Sequence, residues 1–553
     1  MLERLLEGLS FRQRQEFEEV LKSLEKALAK GSSCLLLDQE ESSAHLSAQW
    51  VQEYAPRGFL GGFEDFTPLV LNGSCLYLRR YFEHEQALLG LVRQRCLAND
   101  MNEITGEEQW LGQLFASPES EGQKCAARLA LRRSFSVIIG GPGTGKTSTV
   151  VKILFLLYLF RSEELSEGVL LLAPTGKAAN RLSQSIQKGL DLLKKDYESY
   201  QELLDRIPHD ASTIHRLLGS KVNKVSFRHD AENPVKASVV IVDETSMVDL
   251  ALMRRLFSAL APTSRVILLG DQYQLTSVQV GSVLADLVEF FEKQPSAPLG
   301  RLTHSFRTSG QIQRCCQKIQ SGLAKEAWVV ASEQRESDEM EQEGRIIVES
   351  VPSNIEAALE HFVLEHWLPV LKDSALSPCE QLQEIDKFRI LTPFRQGILG
   401  VENLNIMVEN ILSRNGLVTK DEYFQGRSVI VAKNHYHLGV YNGDTGLVVE
   451  TQGERRVVFG SLKDELNKVP TWSLSHCASA WALTVHQTQG SEYDHILLVL
   501  PESKADLEDS LVSRELLYTG LSRAKKSARI WSSQESFLQA VQRKVNRASG
   551  INL

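Results

Sequence analysis

Chemistry concentrates first in residues 140–147, Gly-Gly-Pro-Gly-Thr-Gly-Lys-Thr, which fit the pattern G-x-x-x-x-G-K-[ST] and follow a strand-like stretch at 135–139. Glycines let backbone N–H groups close around phosphate oxygens, aided by the N-terminus of the helix that follows. Gly141, Gly143, Thr144, Gly145, Lys146, Thr147 and Ser148 are therefore candidate nucleotide-binding positions. In such a loop Lys146 reaches the β- and γ-phosphates and Thr147 binds Mg2+. A second cluster ends the stretch SVVIVDETSM (238–247). Asp243 is placed to hold Mg2+ through water, and Glu244 to accept the proton of an attacking water. An Asp-Glu pair after a strand also serves as a helix N-cap; the glycine-rich loop tips the reading toward a hydrolase rather than a kinase. A third stretch, RVILLGDQYQLTSV (265–278), carries Gln274, whose amide can report a γ-phosphate by hydrogen bond. A plain polar turn is the competing reading there.

These loops need strands to aim them. Strands are predicted at 135–139, 169–173, 238–242 and 265–269, alternating with helices, which implies a parallel sheet with its active loops along the carboxyl edge. A second αβ block starts near 345, with strands at 388–392 and 495–500. Within it, 426–450 is strand-rich with an Asn-Gly-Asp turn and reads as a small inserted barrel. The charged run 332–344 reads as a solvated connector. Residues 1–115 read as a separate small α+β unit. It has a helix over 11–30 opened by Ser10 and Gln13 and stopped at Gly31, strands at 34–38 and 68–80 with an Asn-Gly turn at 72–73, and helix again over 81–115.

The chain of 553 residues is 42% hydrophobic and 24% charged, which suits several soluble globular domains rather than a fibrous or disordered chain. A net charge of −9 gives no global basic field, so any nucleic-acid contact has to come from a local groove. None of the eight cysteines forms a C-x-x-C pair, and buried, reduced thiols are the expectation. The N-terminus has no signal-peptide apolar core, and the longest apolar run, 153–160, is far short of the ~20 residues that span a bilayer. The chain reads as cytoplasmic, without a membrane partner.

Short motifs in order extend the reading: QKCAARLAL (123–131), GGPGTGKTST, LLAPTGKAANRL (171–182), STIHRLLG (212–219), VVIVDETSMVD, LLGDQYQLTSVQVGSVLADL (268–287), LTHSFRTSG (302–310), GRSVIVAKNHYHLGVYNGDTG (426–446), ALTVHQTQGSEYDHILLVLP (482–501) and SRELLYTGLSRAKK (513–526). Together they resemble the superfamily 1 DNA helicases and, among these, the RecD subunits (alpha chains) of bacterial exodeoxyribonuclease V. The resemblance implies an α/β fold of two RecA-like P-loop motor domains, 116–330 with the ATP site and 331–553. It also implies a small SH3-like β insertion at about 410–475 and an N-terminal partner-docking domain, 1–115. Gln123 then reads adenine, which makes the nucleotide ATP, while Arg307 and Arg523 meet the γ-phosphate from the second motor domain when the cleft closes. A guanidinium suits that task because it stabilises charge on the transferring phosphoryl group.

For DNA the same resemblance points to Thr175 and Lys177 on backbone phosphates, and to His215 stacking or bonding along the strand; a core histidine behind a capped helix start competes for His215. Thr484, His486, Gln489, Ser491 and Glu492 would line the track and couple it to the ATP site. Gln487-Thr488 stand where the family usually has Lys-Ser, Thr276 where it has proline or alanine, and Ser522 where threonine is common. The implied function is an ATP-dependent helicase moving 5′ to 3′ on single-stranded DNA. It would work with RecB- and RecC-like subunits on duplex ends, in repair and recombination of double-strand breaks. A self-sufficient helicase shares all these motifs, and a non-catalytic scaffold would not need Lys146, Thr147, Asp243, Glu244, Arg307 and Arg523 intact.

Overall fold

The computed structural model describes residues 10–37, 51–52, 58–62, 64–97, 103–219, 227–294, 296–306, 310–333, 344–417, 421–451, 453–460, 467–475, 477–501 and 512–551. Most of the expected connector 332–344 lies outside them. The first helix, Phe11–Ala29, opens with a capping box in which the Ser10 side chain accepts from the Gln13 N–H. Its buried face, Phe17, Val20 and Leu24, lies on a four-stranded sheet ordered β1 (Leu35–Leu36), β4 (Cys75–Leu78), β3 (Leu69–Asn72), β2 (Leu60–Gly61). In the β3–β4 hairpin Asn72 pairs with Cys75, so the turn residues are Gly73-Ser74 rather than the expected Asn72-Gly73. Gly73 sits at φ 58°, the sign the first position of a primed turn requires.

The next helix, Arg79–Leu97, places Leu88, Leu89 and Val92 in the core of the following αβ unit, and helix Glu107–Leu114 adds Leu111 and Leu114 to that unit's other face. Residue 115 is therefore no boundary between cores, because apolar side chains from well before it are buried beyond it. The unit itself is a six-stranded parallel sheet: β5 (Phe135–Gly140), β6 (Val169–Ala173), β7 (Ala211–Thr213), β8 (Val239–Val242), β9 (Arg265–Gly270) and β10 (Leu299–Leu302). The order is β10-β5-β9-β8-β6-β7. Strands β5, β8 and β9 are near-continuous apolar runs, as a sheet covered on both faces demands. The helix Lys146–Phe160 buries nine consecutive side chains but Lys152 among Thr149–Tyr158, which explains the long apolar run as core. No helix among the described residues is long and apolar enough to cross a membrane.

A second parallel sheet runs β11 (Arg345–Glu349), β20 (Ala524–Trp531), β19 (Tyr493–Val499), β12 (Phe388–Thr392), β18 (Ala482–Thr484). Ile312, Cys315 and Ile319 of helix Gly310–Gln320, and Ala327 and Val330 of helix Ala324–Ala331, share its core. The change from one core to the other thus falls before Gly310, ahead of the expected 330. Between β12 and β18 an antiparallel sheet, β16-β15-β14-β13-β17, spans β13 (Ser428–Val431), β14 (Thr445–Thr451), β15 (Glu454–Phe459), β16 (Asn467–Pro470) and β17 (Cys477–Ser479). Along β14 the two-residue period puts Val448 in this sheet's own core and Leu447 and Val449 in the core around Trp367 and Trp481.

The chain then returns to its start. Ser549 Oγ and the Gly550 N–H donate to the buried Glu85 carboxylate, and the Ser33 N–H donates to the Ala548 carbonyl at 2.9 Å. The Arg547 guanidinium donates to the carbonyls of Gln279 and Gly281 and fills the space above Gly31, held at φ 88°. Beside this strap Asp286 is buried and its carboxyl is pushed up to about 8, chiefly by burial. A raised carboxyl favours the protonated folded chain, so its cost is absent below an aspartate's ordinary value of about 4 and grows as pH rises toward 8. Asp286→Asn is therefore expected to raise the thermal transition at pH 8 by about 2–4 °C and to leave it unmoved near pH 4, measured by scanning calorimetry.

Candidate functional site

All parallel strands of the first sheet open their carboxyl ends along one edge, and strand order decides which loops meet. The glycine-rich loop leaves β5, whose neighbour β9 carries the loop of Asp271 and Gln274, and β8, next again, delivers Asp243 and Glu244. Gly143 and Gly145 sit at φ 77° and 78°, the left-handed conformation that turns successive N–H groups inward into an anion-binding nest. Lys146 Nζ donates to the carbonyls of Gly140 and Gly141 at 2.6 and 3.1 Å, and Thr144 Oγ1 donates to Gly141 O at 2.8 Å. Gln123 is buried, and its Nε2 donates to Thr144 O at 3.0 Å, so the expected adenine reader lies against the loop.

Asp243 is half-buried and its carboxyl is pushed up to about 6, by burial and by Glu244 beside it, with Lys146 pulling the other way. A carboxylate in that state gains from a divalent cation, so Asp243 with Thr147, which lines the same cleft, fits Mg2+. Glu244 has φ 51° and ψ 40°, a conformation that costs a non-glycine residue of order 1–3 kcal/mol. The cleft is open to solvent and is lined by residues 141–148, Asp243, Glu244 and Gln274 from the first αβ unit, with Gly490, Glu492 and Arg523 from the second.

Arg523 crosses that cleft. Its guanidinium donates to Gln274 Oε1 at 2.9 Å, to Ser491 O at 3.1 Å and to Thr519 O at 3.0 Å. Gln274 is thus no plain turn residue. Arg307 lies outside the described residues; the Phe306 N–H before it donates to Gly143 O at 2.8 Å. Sequence reasoning passed over Arg181, which donates to Gly490 O and pairs with Glu492 at 3.6 Å across the cleft. Its only sequence signal is its place within LLAPTGKAANRL.

The expected DNA-facing residues divide. His215 is exposed at a helix start capped by Thr213, which disposes of the core-histidine reading. Thr175 caps helix Gly176–Asp196 by accepting from the Ala178 N–H. Lys177 is not free to meet a phosphate in this conformation: its Nζ donates to Gly443 O at 3.1 Å in the β13–β14 turn, and burial lowers its pKa to about 8. Ser491 is 4% exposed and so stands away from any surface track, and Gln489 is buried with its Nε2 donating to Leu275 O. Thr484 and the half-buried His486 remain near the surface. Gln487, one of the departures, has a local cause. Its Oε1 accepts from the Thr484 N–H at 2.9 Å while its own N–H donates to Thr484 Oγ1, a capping box that lysine cannot form.

Two parallel α/β units meeting over one phosphate-binding loop are the architecture of RecA-like P-loop nucleoside triphosphatases. Residues 123–280 match the AAA domain family and residues 479–531 the UvrD-like helicase C-terminal domain family. The RecBCD enzyme subunit RecD of Mycobacterium tuberculosis is 35% identical over 547 residues, covering 96% of this chain and 89% of that protein. That of Mycolicibacterium smegmatis is 34% identical over 543 residues (95% and 91%), and that of Haemophilus influenzae 31% over 535 (88% and 80%). The chain belongs to the family of RecD subunits of RecBCD enzymes.

Two substitutions probe this geometry. At Gly145 an added Cβ would lie 2.4 Å from Gln123 Nε2 on a backbone that already has positive φ. Gly145→Ala is expected to weaken binding of a fluorescent ADP analogue by about tenfold or more, read by titration. Gln487→Lys, which restores the family's lysine, is expected to cost about 1 kcal/mol of local stability, seen as faster hydrogen exchange over 484–488.

Proposed function

We propose that the chain is an ATP-dependent DNA helicase, the RecD motor of a RecBCD-type helicase-nuclease. The observation that carries this is the Arg523–Gln274 contact: an arginine from one αβ unit is delivered to the γ-phosphate reporter of the other. ATP seated on the Gly143–Gly145 nest places its γ-phosphate between Lys146 and Gln274. Arg523 then stabilises charge on the transferring phosphoryl group only while the two units are closed, which ties hydrolysis to motion. Mg2+, when held through Thr147 and Asp243, neutralises charge on the β- and γ-phosphates. Glu244 takes the proton of the attacking water, while Gln123 orients the adenine end.

Closure and opening alternate the grip on a single strand, with 5′-to-3′ movement as the family implies. Exposed His215, with Thr484 and His486, supports strand contact, and Thr175 and Lys177 join it once the β13–β14 turn lifts from Lys177. We assign the antiparallel sheet to an SH3-like insertion and the N-terminal α+β part, ahead of the helices within 1–115 that join the first αβ core, to docking of RecB- and RecC-like partners on duplex-end DNA. The partner reading rests on the relatives being subunits of RecBCD enzymes, and the same likeness supports a cytoplasmic location.

The test is ATP hydrolysis with and without single-stranded DNA. DNA is expected to stimulate the wild-type chain, and Lys146→Gln to lower kcat by about 100-fold or more. Equal activity of Lys146→Gln in the complex with its partners would refute the motor reading. Unwinding of duplexes with a 5′ but not a 3′ tail reads the direction.

A further inference from the structure

The loop that carries Gln274 is held from the second αβ unit by more than Arg523. Helix Arg514–Leu521 presents Tyr518, whose hydroxyl donates to Asp271 Oδ2 at 2.8 Å, and Thr519, whose hydroxyl accepts from the Leu275 N–H at 2.9 Å. Tyr518 is 2% exposed and Asp271 equally so, which makes their mutual hydrogen bond costly to leave unmade. Asp271 also accepts from the Tyr273 N–H at 3.0 Å and from Gln274 Nε2 at 3.3 Å. These contacts form a closed circuit. Tyr518 holds Asp271, Asp271 takes the amino end of the Gln274 side chain, and the other end, Oε1, is thereby turned to Arg523.

An amide side chain has one donating and one accepting end, and a partner for the donor fixes where the acceptor points. We infer that Tyr518 is a positioning residue for hydrolysis: through Asp271 it fixes the Gln274 amide and so registers the second αβ unit, with its Arg523, on the γ-phosphate site. The inference rests on the ATPase reading above. Tyr518 and Arg523 lie five residues apart on one short segment and grip Asp271 and Gln274, three residues apart on one loop, so the two contacts form or break together as the cleft moves. The hydroxyl matters for a further reason. Ionised, Asp271 accepts at both oxygens, whereas a protonated carboxyl presents an O–H donor at one of them; loss of the Tyr518 donor favours that protonated form, toward which burial already pushes the group against the pull of Lys146. The Tyr518 hydroxyl lies beside Gly141 but is not among the residues lining the cleft of Lys146, Thr147 and Glu244, so its loss is expected in the transition state rather than in binding.

The experiment measures DNA-stimulated ATP hydrolysis by the full-length chain and by Tyr518→Phe, Asp271→Asn and the double variant, with thermal unfolding and fluorescent-ADP titration of each. Tyr518→Phe keeps the ring and its packing. It is expected to lower kcat by about tenfold with the ATP KM within about twofold of wild type, the loss expected when a hydrogen bond to a charged group is removed from the reacting state. Asp271→Asn is expected to do the same, and the double variant to lose no more than either single one. An unchanged kcat in Tyr518→Phe overturns the inference, as does a raised KM at full kcat or losses that multiply in the double variant. A wild-type chain that hydrolyses no ATP in any setting, partners included, overturns the ATPase reading and this inference with it.

Discussion

The loop from Asp271 to Leu275 is held at both ends by the other αβ unit, through Tyr518, Thr519, Arg523 and Gln489, and much of the remaining architecture serves to keep it there. It leaves β9, which lies between the strand of the phosphate-binding loop and the strand of Asp243, so movement of the second unit is passed to a segment adjoining both. The groups involved are buried hydrogen-bonding side chains. Buried donors and acceptors are costly to leave unpaired, so such a junction favours a few discrete arrangements over gradual slippage.

Two other connections limit how the units can part. The β13–β14 turn rests on the start of helix Gly176–Asp196, with Lys177 on Gly443 O and the Tyr441 ring in the space a Cβ at Gly176 would need. The C-terminal strap ties the end of the second unit to Glu85 and Gly31, near the opposite end of the chain, and to Gly281 of the first αβ unit. Both rely on charged groups taken out of water, Lys177 at one end and Glu85 with Asp286 at the other. Burial lowers the lysine and raises the carboxyls, the direction expected when the charged form is the one that suffers.

Much of the fold was legible because its signals are local. β6 and β12 run over the stretches the apolar runs predict, 169–173 and 388–392, and the Ser10–Gln13 capping box opens its helix where expected. The limits at 115 and 330 were not legible. Leu88 and Ile312 carry no mark of which sheet will bury them, since an amphipathic face fits any complementary core. The Gly73-Ser74 turn was misplaced by one residue because register is set by cross-strand pairing, not by the glycine alone.

By itself the sequence determined the parts that depend on neighbours in the chain: the nest of Gly143 and Gly145, the strand-end carboxylates Asp243 and Glu244, and the ordered motifs that carry the family resemblance. Tertiary structure alone decided which distant groups meet. It put Arg523 on Gln274, Tyr518 on Asp271, Arg181 on Gly490 and Lys177 on Gly443, and it buried Ser491 while exposing His215. The reason is physical. A phosphate loop is built from backbone torsions that residue types dictate, whereas contacts hundreds of residues apart depend on how two independent sheets pack against each other.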